Sequence, residues 1–259
     1  MKLKDRVCII TGGGRGLGRD FALAFAQEGA HVVVAGTGEG ALAAVASGIQ
    51  ASGRRAMAVV ADVSDEGAVN HLVEATLAEF GQIDVLVNNA GIIGPTAVVT
   101  EIAREDWDRT LAVNLTGAFL CAKAVLPQMA ERRQGKIINI ASVAGHIGYP
   151  LRSPYAVSKW GMIGLSRTLA QEWGRYNIQV NTISPGPVRG ERMDEVIRRR
   201  AAQTGRPVEE VEREYTGRLA LERFVEPAHV AATAVFLASS ESDSITGETI
   251  QVSSGFGLA

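Results

Sequence analysis

Two kinds of hydrophobic pattern alternate along the chain. Short apolar runs rich in Val, Ile and Ala recur at residues 7–11, 31–35, 56–61, 84–88, 136–141, 178–184 and 249–252. Each is close to continuously apolar, as strands buried on both faces are. Between them apolar positions recur every three or four residues, at 17–28, 66–80, 105–130 (read as two helices) and 155–176. That is the spacing of amphipathic helices. Alternating strands and helices predict an α/β fold, with a parallel sheet covered by helices on both faces. Right-handed crossovers make it doubly wound. No linker, repeat or low-complexity tract divides the 259 residues, so one domain over 1–259 is expected. Ligands of such sheets sit at the carboxyl ends of the strands.

Those ends carry the chemistry. The first strand stops at Thr11 and enters Gly12-Gly13-Gly14-Arg15-Gly16-Leu17-Gly18, which opens a helix. Small residues let a ligand approach the backbone, and the helix end offers free N–H groups to an anion. This Rossmann-like unit is a pyrophosphate cradle, spaced G-x-x-x-G-x-G at Gly12, Gly16 and Gly18. At the end of the second strand, an acid binds the ribose 2′-OH of NAD and a base accommodates the 2′-phosphate of NADP. Gly36 stands where the acid is expected, and no Arg or Lys follows it. Thr37 can bond a phosphate. Arg15 can reach the same region or remain a solvated loop side chain. The balance tilts to NADP(H) over NAD(H), with Glu39 as the counter-argument if it turns to the ribose.

The third strand ends at Asp62-Val63. Asp62 can accept a hydrogen bond from an adenine amino group or cap the next helix, where Ser64 could also serve. The fourth ends at Asn88-Asn89-Ala90-Gly91, where Asn tolerates turns and Ala and Gly leave room for a flat ligand. Asn114 interrupts an apolar helical pattern. It either bonds a backbone carbonyl and bends the helix, or it serves a site. After the fifth strand comes Ser142. Thirteen residues on stands Tyr155, and four further Lys159, on the same helix face. A phenol ordinarily titrates near 10, too high for easy proton exchange at neutral pH. A neighbouring ammonium favours the phenolate. The set suits general acid–base work on an alcohol or carbonyl oxygen.

Composition narrows the class. Hydrophobic content of 46% and charged content of 21% are ordinary for a folded domain, and the net charge of −2 points to no nucleic-acid partner. Cys8 and Cys121 lie in apolar runs and read as buried thiols of a reducing compartment. The four histidines show no metal-ligand spacing. No signal-peptide core and no bilayer-spanning apolar stretch is read, so a cytoplasmic protein is expected.

Taken together these stretches resemble the short-chain dehydrogenase/reductase family, in its single-domain branch. The resemblance rests on TGGGRGLG at residues 11–18, DV at 62–63, NNAG at 88–91, Asn114, Ser142, YAVSK at 155–159 and PGPV at 185–188. It spans essentially the whole chain. It implies an NAD(P)-dependent oxidoreductase that moves a hydride between cofactor and a secondary alcohol, ketone or aldehyde. Tyr155 would be the general acid or base, and Lys159 would lower its pKa and hold the nicotinamide ribose. Ser142 would polarise the substrate oxygen, and Asn114 would keep a water that relays protons from Lys159. Gly12, Arg15, Gly16, Leu17, Gly18, Thr37, Asp62, Val63, Asn88, Ala90 and Gly91 would contact the cofactor. Pro185, Gly186 and Val188 would lie against the nicotinamide. The Tyr-x-x-x-Lys spacing points to C–O rather than C=C chemistry. Three features depart from the family pattern: no Thr shortly follows PGPV, the second strand ends in neither usual cofactor signature, and Ser253-Ser254-Gly255 replaces Asp-Gly-Gly.

Residues 188–224 form a charged insert with two helical patterns broken at Gly205-Arg206-Pro207, in the place of a substrate lid. Arg152, Arg189 and Arg192 lie close in sequence to the site, and one or more of them could meet an anionic substrate. The family also implies a homo-oligomer, usually a tetramer, built on the helices at 105–130 and 155–176. The alternatives are an isomerase or epimerase without net redox turnover, and a cofactor-binding regulator.

Overall fold

The computed structural model describes residues 1–257, without the side chains of Arg192, Arg199 and Gln203. Seven parallel strands make one sheet: β1 (Val7–Thr11), β2 (His31–Gly36), β3 (Ala56–Val60), β4 (Val85–Asn88), β5 (Gly135–Ile140), β6 (Ile178–Pro185) and β7 (Thr249–Val252). Their order is β3-β2-β1-β4-β5-β6-β7. Neighbouring residues of a strand face opposite sides, and both sides here are core. Cys8, Ile10, Val32, Val34, Val85 and Val87 pack on one side, against α1 (Gly16–Gln27), α2 (Glu39–Ala51) and α9 (Pro227–Ala238). Ile9, Val33, Ala35, Leu86, Ile137 and Val180 pack on the other. There they meet α3 (Glu66–Phe80), α5 (Gly117–Arg132) and α6 (Ser153–Trp173). That is why the strands read as continuous apolar runs. Both cysteines are buried free thiols, and burial pushes the Cys121 pKa up to about 12.

Strands β1 to β3 step outward one way. The chain then crosses back to β4, and β4 to β7 step outward the other way. The crevice between the ends of β1 and β4 is the switch point, where such sheets take ligands.

The pattern at 105–130 resolves differently from the two helices expected. It is one helical run, α4 (Arg104–Leu111) passing through a π-turn (Ala112–Thr116) into α5. By length and composition alone this run could cross a bilayer, against the sequence reading, but 56% of its most apolar window is buried in the fold. Helices α2 and α9 are further elements: α2 buries a stripe of Leu42, Val45, Ala46 and Ile49 that the sequence reading passed over, and α9 is apolar on most sides, so no clear stripe marks it. In the insert the expected break is present. α7 (Glu191–Thr204) ends at Gly205 with φ +66°, and Pro207 caps α8 (Val208–Thr216). The two helices share a small apolar cluster of Ile197, Ala201, Val211, Leu219 and Phe224, with Phe256 against it. Glu214 accepts from Arg200 and Arg206 at 2.8 Å and from Arg218 at 3.3 Å.

Phe21 and Phe25, one turn apart on α1, are fully buried under β1 and β2. Phe21→Ala is expected to cost about 3–5 kcal/mol of stability. Urea denaturation followed by circular dichroism would read this as a lower midpoint at unchanged slope.

Candidate active site

The glycine loop is built by close contacts. Gly12 and Gly16 have φ of +66° and +52°, and a Cβ on Gly18 would collide with the carbonyl oxygen of Gly12. Nothing lies within 4 Å of where a Cβ on Gly16 would stand. Bare backbone at the start of α1 therefore faces open space, which fits a dinucleotide pyrophosphate. Gly13 N–H donates to Ala35 O at 3.1 Å, tying the loop to β2. Arg15, Thr37 and Glu39 are exposed at this end, and Glu39 sits in the first turn of α2, where the helix dipole favours an acid.

Asn89, read from sequence only as part of the NNAG turn, holds this loop. Asn89 Nδ2 donates to Thr11 O at 2.9 Å and Gly12 O at 3.3 Å, while Thr11 Oγ1 accepts from the N–H groups of Asn89 and Ala90 at 3.0 Å. Asn88 faces the opposite way. Its Nδ2 donates to Asn139 Oδ1 at 2.9 Å and to Ala118 O at 3.3 Å. The period of two along a strand separates these neighbours.

Asp62 does not cap α3. Asp65 does, accepting from Ala68 N–H at 2.7 Å. Asp62 Oδ1 accepts from the Ser64 N–H and hydroxyl, and its Oδ2 accepts from Arg109 of α4 at 2.9 Å. The Ser64 hydroxyl above all, with Arg109, holds its pKa down to about 2. Arg109 was not legible, because nothing in sequence relates α4 to the end of β3. Val63 is buried against Gly117, leaving only its backbone for a ligand.

Asn114 sits in the π-turn, fully buried. Its Oδ1 accepts from Ile92 N–H at 2.8 Å, and its Nδ2 donates to Ile92 O at 2.9 Å and Ser158 Oγ at 3.1 Å. Ser158 Oγ in turn donates to Tyr155 O at 2.7 Å. Asn114 therefore clamps the segment after Gly91 to α6, the helix of Tyr155 and Lys159. Its bond to the Ile92 carbonyl and its place in a widened turn match the first reading of a mid-helix Asn, and the same contacts tie the turn to α6.

Ser142 follows β5 and heads a 3₁₀ turn (Val143–Gly145), its Oγ accepting from Ala144 N–H at 3.2 Å. A Cβ on Gly145 would meet Lys159 O at 2.8 Å, so the Ser142 turn packs directly on α6. Lys159 is 5% exposed and donates to Ile140 O at 2.8 Å. Its Nζ lies 5.6 Å from the centre of the half-buried Tyr155 ring. His146 was also missed. Its Nε2 is 2.9 Å from Ser184 Oγ on β6, and its ring packs against Trp160. Pro185 ends β6, Gly186 N–H donates to Val252 O, and a Cβ on Gly186 would strike Ser253. Beyond it Val188 pairs with Val225 through the Pro187 O and Arg189 N–H, so the N–H and C=O of Val188 itself take no part in that bridge.

A nucleotide cradle at the switch point, with Ser142, Tyr155 and Lys159 at the end of β5, defines a nicotinamide-dependent oxidoreductase. Residues 6–201 match the family model for short chain dehydrogenases. The chain belongs to the short-chain dehydrogenase/reductase family, enzymes that act on CH–OH and carbonyl groups with NAD(P). It is 36% identical over 255 residues to the 3-oxoacyl-[acyl-carrier-protein] reductase FabG of Thermotoga maritima, covering 98% of this chain and 99% of the relative. Xylitol dehydrogenase with bound NAD+ superposes with TM-score 0.92 at 32% identity, over 98% of this chain and 100% of the other. A variant of the actinorhodin polyketide ketoreductase with NADPH gives TM-score 0.92 at 32% identity, over 98% of each chain.

Two outcomes follow from this geometry. Gly18→Ala is expected to abolish NAD(P)H binding, read by nucleotide fluorescence, while far-ultraviolet circular dichroism stays that of a folded chain. Burial, then the Arg167 charge, holds the His146 pKa below its ordinary 6.5. The fold therefore favours neutral His146, and this stabilisation is present above about pH 6.5 and lost as pH falls through the lower folded value. Thermal melts of His146→Gln should show a flatter stability profile than wild type from about pH 7 to 5.

Proposed function

We propose that the protein is an NAD(P)-dependent alcohol dehydrogenase or carbonyl reductase in which Tyr155 is the general acid of reduction and the general base of oxidation. The observation that carries this is the stacking of roles at the end of β5. Lys159 Nζ is anchored on Ile140 O, 5.6 Å from the Tyr155 ring, beside the Ser142 turn. When bound, the nicotinamide supplies or accepts the hydride. Ser142 Oγ orients the substrate oxygen. Tyr155 delivers the proton to that oxygen in reduction and removes it in oxidation. The Lys159 charge favours the phenolate form, and its ammonium also holds the nicotinamide ribose. Asn114 keeps a water that reconnects Lys159 to solvent.

Gly12, Arg15, Gly16, Leu17 and Gly18 would hold the pyrophosphate end of the cofactor, and Asp62 and Val63 the adenine. Asn88, Ala90 and Gly91 would line the middle, and Pro185, Gly186 and Val188 the nicotinamide. Arg15 and Thr37, with no acid at Gly36, favour NADP(H), with Glu39 in the first turn of α2 as the counter-argument. The pair α7–α8 is the substrate lid. Phe119 on α5 and Val157 and Trp160 on α6 are 43–52% exposed, a face suited to pairing of subunits in a homotetramer. We place the enzyme in the cytoplasm, acting on a small alcohol or carbonyl compound, with no nucleic-acid or membrane partner.

Tyr155→Phe is expected to lower kcat at least about 10³-fold while NADPH binding persists, since only the phenol proton is removed. NADPH and NADH consumption should be measured in parallel over a broad carbonyl panel, and faster turnover with NADPH is expected. Conversion of a substrate without net cofactor use would instead mark an isomerase or epimerase. Full activity of Tyr155→Phe would remove the mechanism.

A further inference from the structure

A cluster of charged and amide side chains lies at the end of the sheet opposite the catalytic residues. Residues alternate faces along a strand. Arg6 leads into β1 on the side of Cys8 and Ile10, Lys136 of β5 shares the side of Ile138 and Ile140, and Gln179 of β6 shares that of Ile183. All three therefore lie on the side covered by α1 and α9, at the start of their strands. There they line a polar recess of about 60 Å³ together with Gln134, Asn177 and Asp243. Ser142 stands six residues beyond Lys136, about 20 Å at the rise of a strand. The recess is thus separate from the catalytic end.

The charges there do not balance. Lys136 is buried, and its Nζ meets Asp243 Oδ1 at 2.8 Å and Ser242 Oγ at 3.1 Å. Burial pulls the Lys136 pKa below 10.5, although the exposed Asp243 opposes this. Arg6 is half-buried and adds a second positive charge, near enough to push the Lys136 pKa the same way. Among the described residues its guanidinium makes no ion pair and donates no hydrogen bond. Other carboxylates at this end are taken. Asp84, which leads into β4 between β1 and β5, accepts from Arg132 at 2.6 Å and from Gln82 and Val7 N–H at 2.8 Å. Asp5 pairs with Arg54 at 3.9 Å, and Glu241 with Lys2 at 2.7 Å. Two cations therefore face a recess that holds one carboxylate. An arginine cannot relieve this by losing its proton, and partial burial of a charge without a counter-ion is unfavourable.

We propose that this recess is a binding site for a small tetrahedral oxyanion, phosphate or sulfate, held between Arg6 and Lys136. The anion supplies the negative charge that Asp243 alone does not. Size sets the class: sites for drug-sized ligands run to about 300–1,000 Å³, whereas this recess has room for one small ion or a few waters. The guanidinium fork and the ammonium give charge-assisted bonds, and the Gln134 amide adds a donor at the rim. Bound there, the anion ties the leads into β1, β5 and β6 to the turn at Asp243. It stabilises the fold and takes no part in the reaction proposed above.

The test reads thermal melts of the full chain saturated with NADPH, so that the nucleotide cradle is already filled. Phosphate or sulfate is exchanged for chloride at constant ionic strength. Wild type is expected to melt higher in either oxyanion, by an amount that grows with the logarithm of its concentration. Arg6→Gln should weaken the apparent affinity at least about tenfold, and Arg6→Lys should retain part of it. Lys136→Met, which puts an apolar chain of similar length in place of the buried cation, should weaken it likewise. Independently of how these variants fold, anomalous diffraction from wild-type crystals holding selenate should give a peak between the Arg6 guanidinium and Lys136 Nζ. The selenate position decides equally if the chain binds no NADPH, so failure of the function proposed above leaves this test standing. An equal rise in Arg6→Gln, no rise beyond chloride in wild type, or selenate only elsewhere overturns the proposal. A rise that NADPH abolishes puts the anion in the cradle and overturns it as well.

Discussion

The geometry of the site depends on a chain of buried hydrogen bonds that sets α6 on the sheet in one register. Asn88 Nδ2 on β4 donates to Asn139 Oδ1 on β5, and Asn139 Nδ2 donates to Ser166 Oγ on α6 at 2.8 Å. Thr182 on β6 donates to the same oxygen at 2.7 Å, and Ser166 passes its own proton to Met162 O. Asn139, Ser166 and Thr182 are essentially without exposure. A polar atom in such a place must find its partner or lose the free energy of desolvation. Apolar packing tolerates small slides of a helix over a sheet; this chain does not. Lys159 and Tyr155 lie two and three turns back along the same helix, and Lys159 is itself tied to Ile140 O. The phenol is therefore held over the end of β5.

A second set of polar bonds acts at the switch point. Thr11 and Asn89 join the ends of β1 and β4, so the glycine loop and the NNAG segment form one rigid edge. From that edge the backbone at Ile92 is carried to α6 by Asn114, which sits in a widened helical turn. π-turns inside helices are rare and frequently mark functional positions. Here the turn brings an amide side chain to two backbone groups of a neighbouring loop and to a hydroxyl on a third element. The edge at β1 and β4, the segment at Ile92 and α6 are thereby coupled through a single buried side chain.

The contrast among arginines follows from the same economy of partners. In the insert, Glu214 gathers Arg200, Arg206 and Arg218, and Arg189 is shared by two glutamates. These exposed pairs add little stability individually, but they consume the charge of the insert internally. Arg109 is likewise spent on Asp62 and Ser64. Near Tyr155 the structure instead leaves Arg152 without a counter-ion among the described residues.

Most of the elements, and the glycine loop and Tyr155–Lys159 spacing proposed to carry the chemistry, were legible in the chain because they rest on local rules. Buried parallel strands must be continuously apolar, a nucleotide cradle must be small at Gly12, Gly16 and Gly18, and Tyr155 and Lys159 share a face through helical spacing alone. Family resemblance rested on the same stretches. What could not be read were relations between distant segments: Asn89 rather than Asn88 gripping the glycine loop, Asp65 rather than Asp62 capping α3, Arg109 reaching Asp62, and a π-turn joining what reads as two helices. The partner of a long side chain is set by which elements pack together, and local sequence carries no term for that. Sequence by itself determined the fold class and the family, and it placed the glycine loop and the Tyr155–Lys159 pair on their elements, because periodicity and backbone sterics act over a few residues. Only the tertiary structure decided which polar side chains tie the elements together and which arginines the fold pairs, because hydrogen-bond and ion-pair satisfaction is settled across elements far apart in the chain.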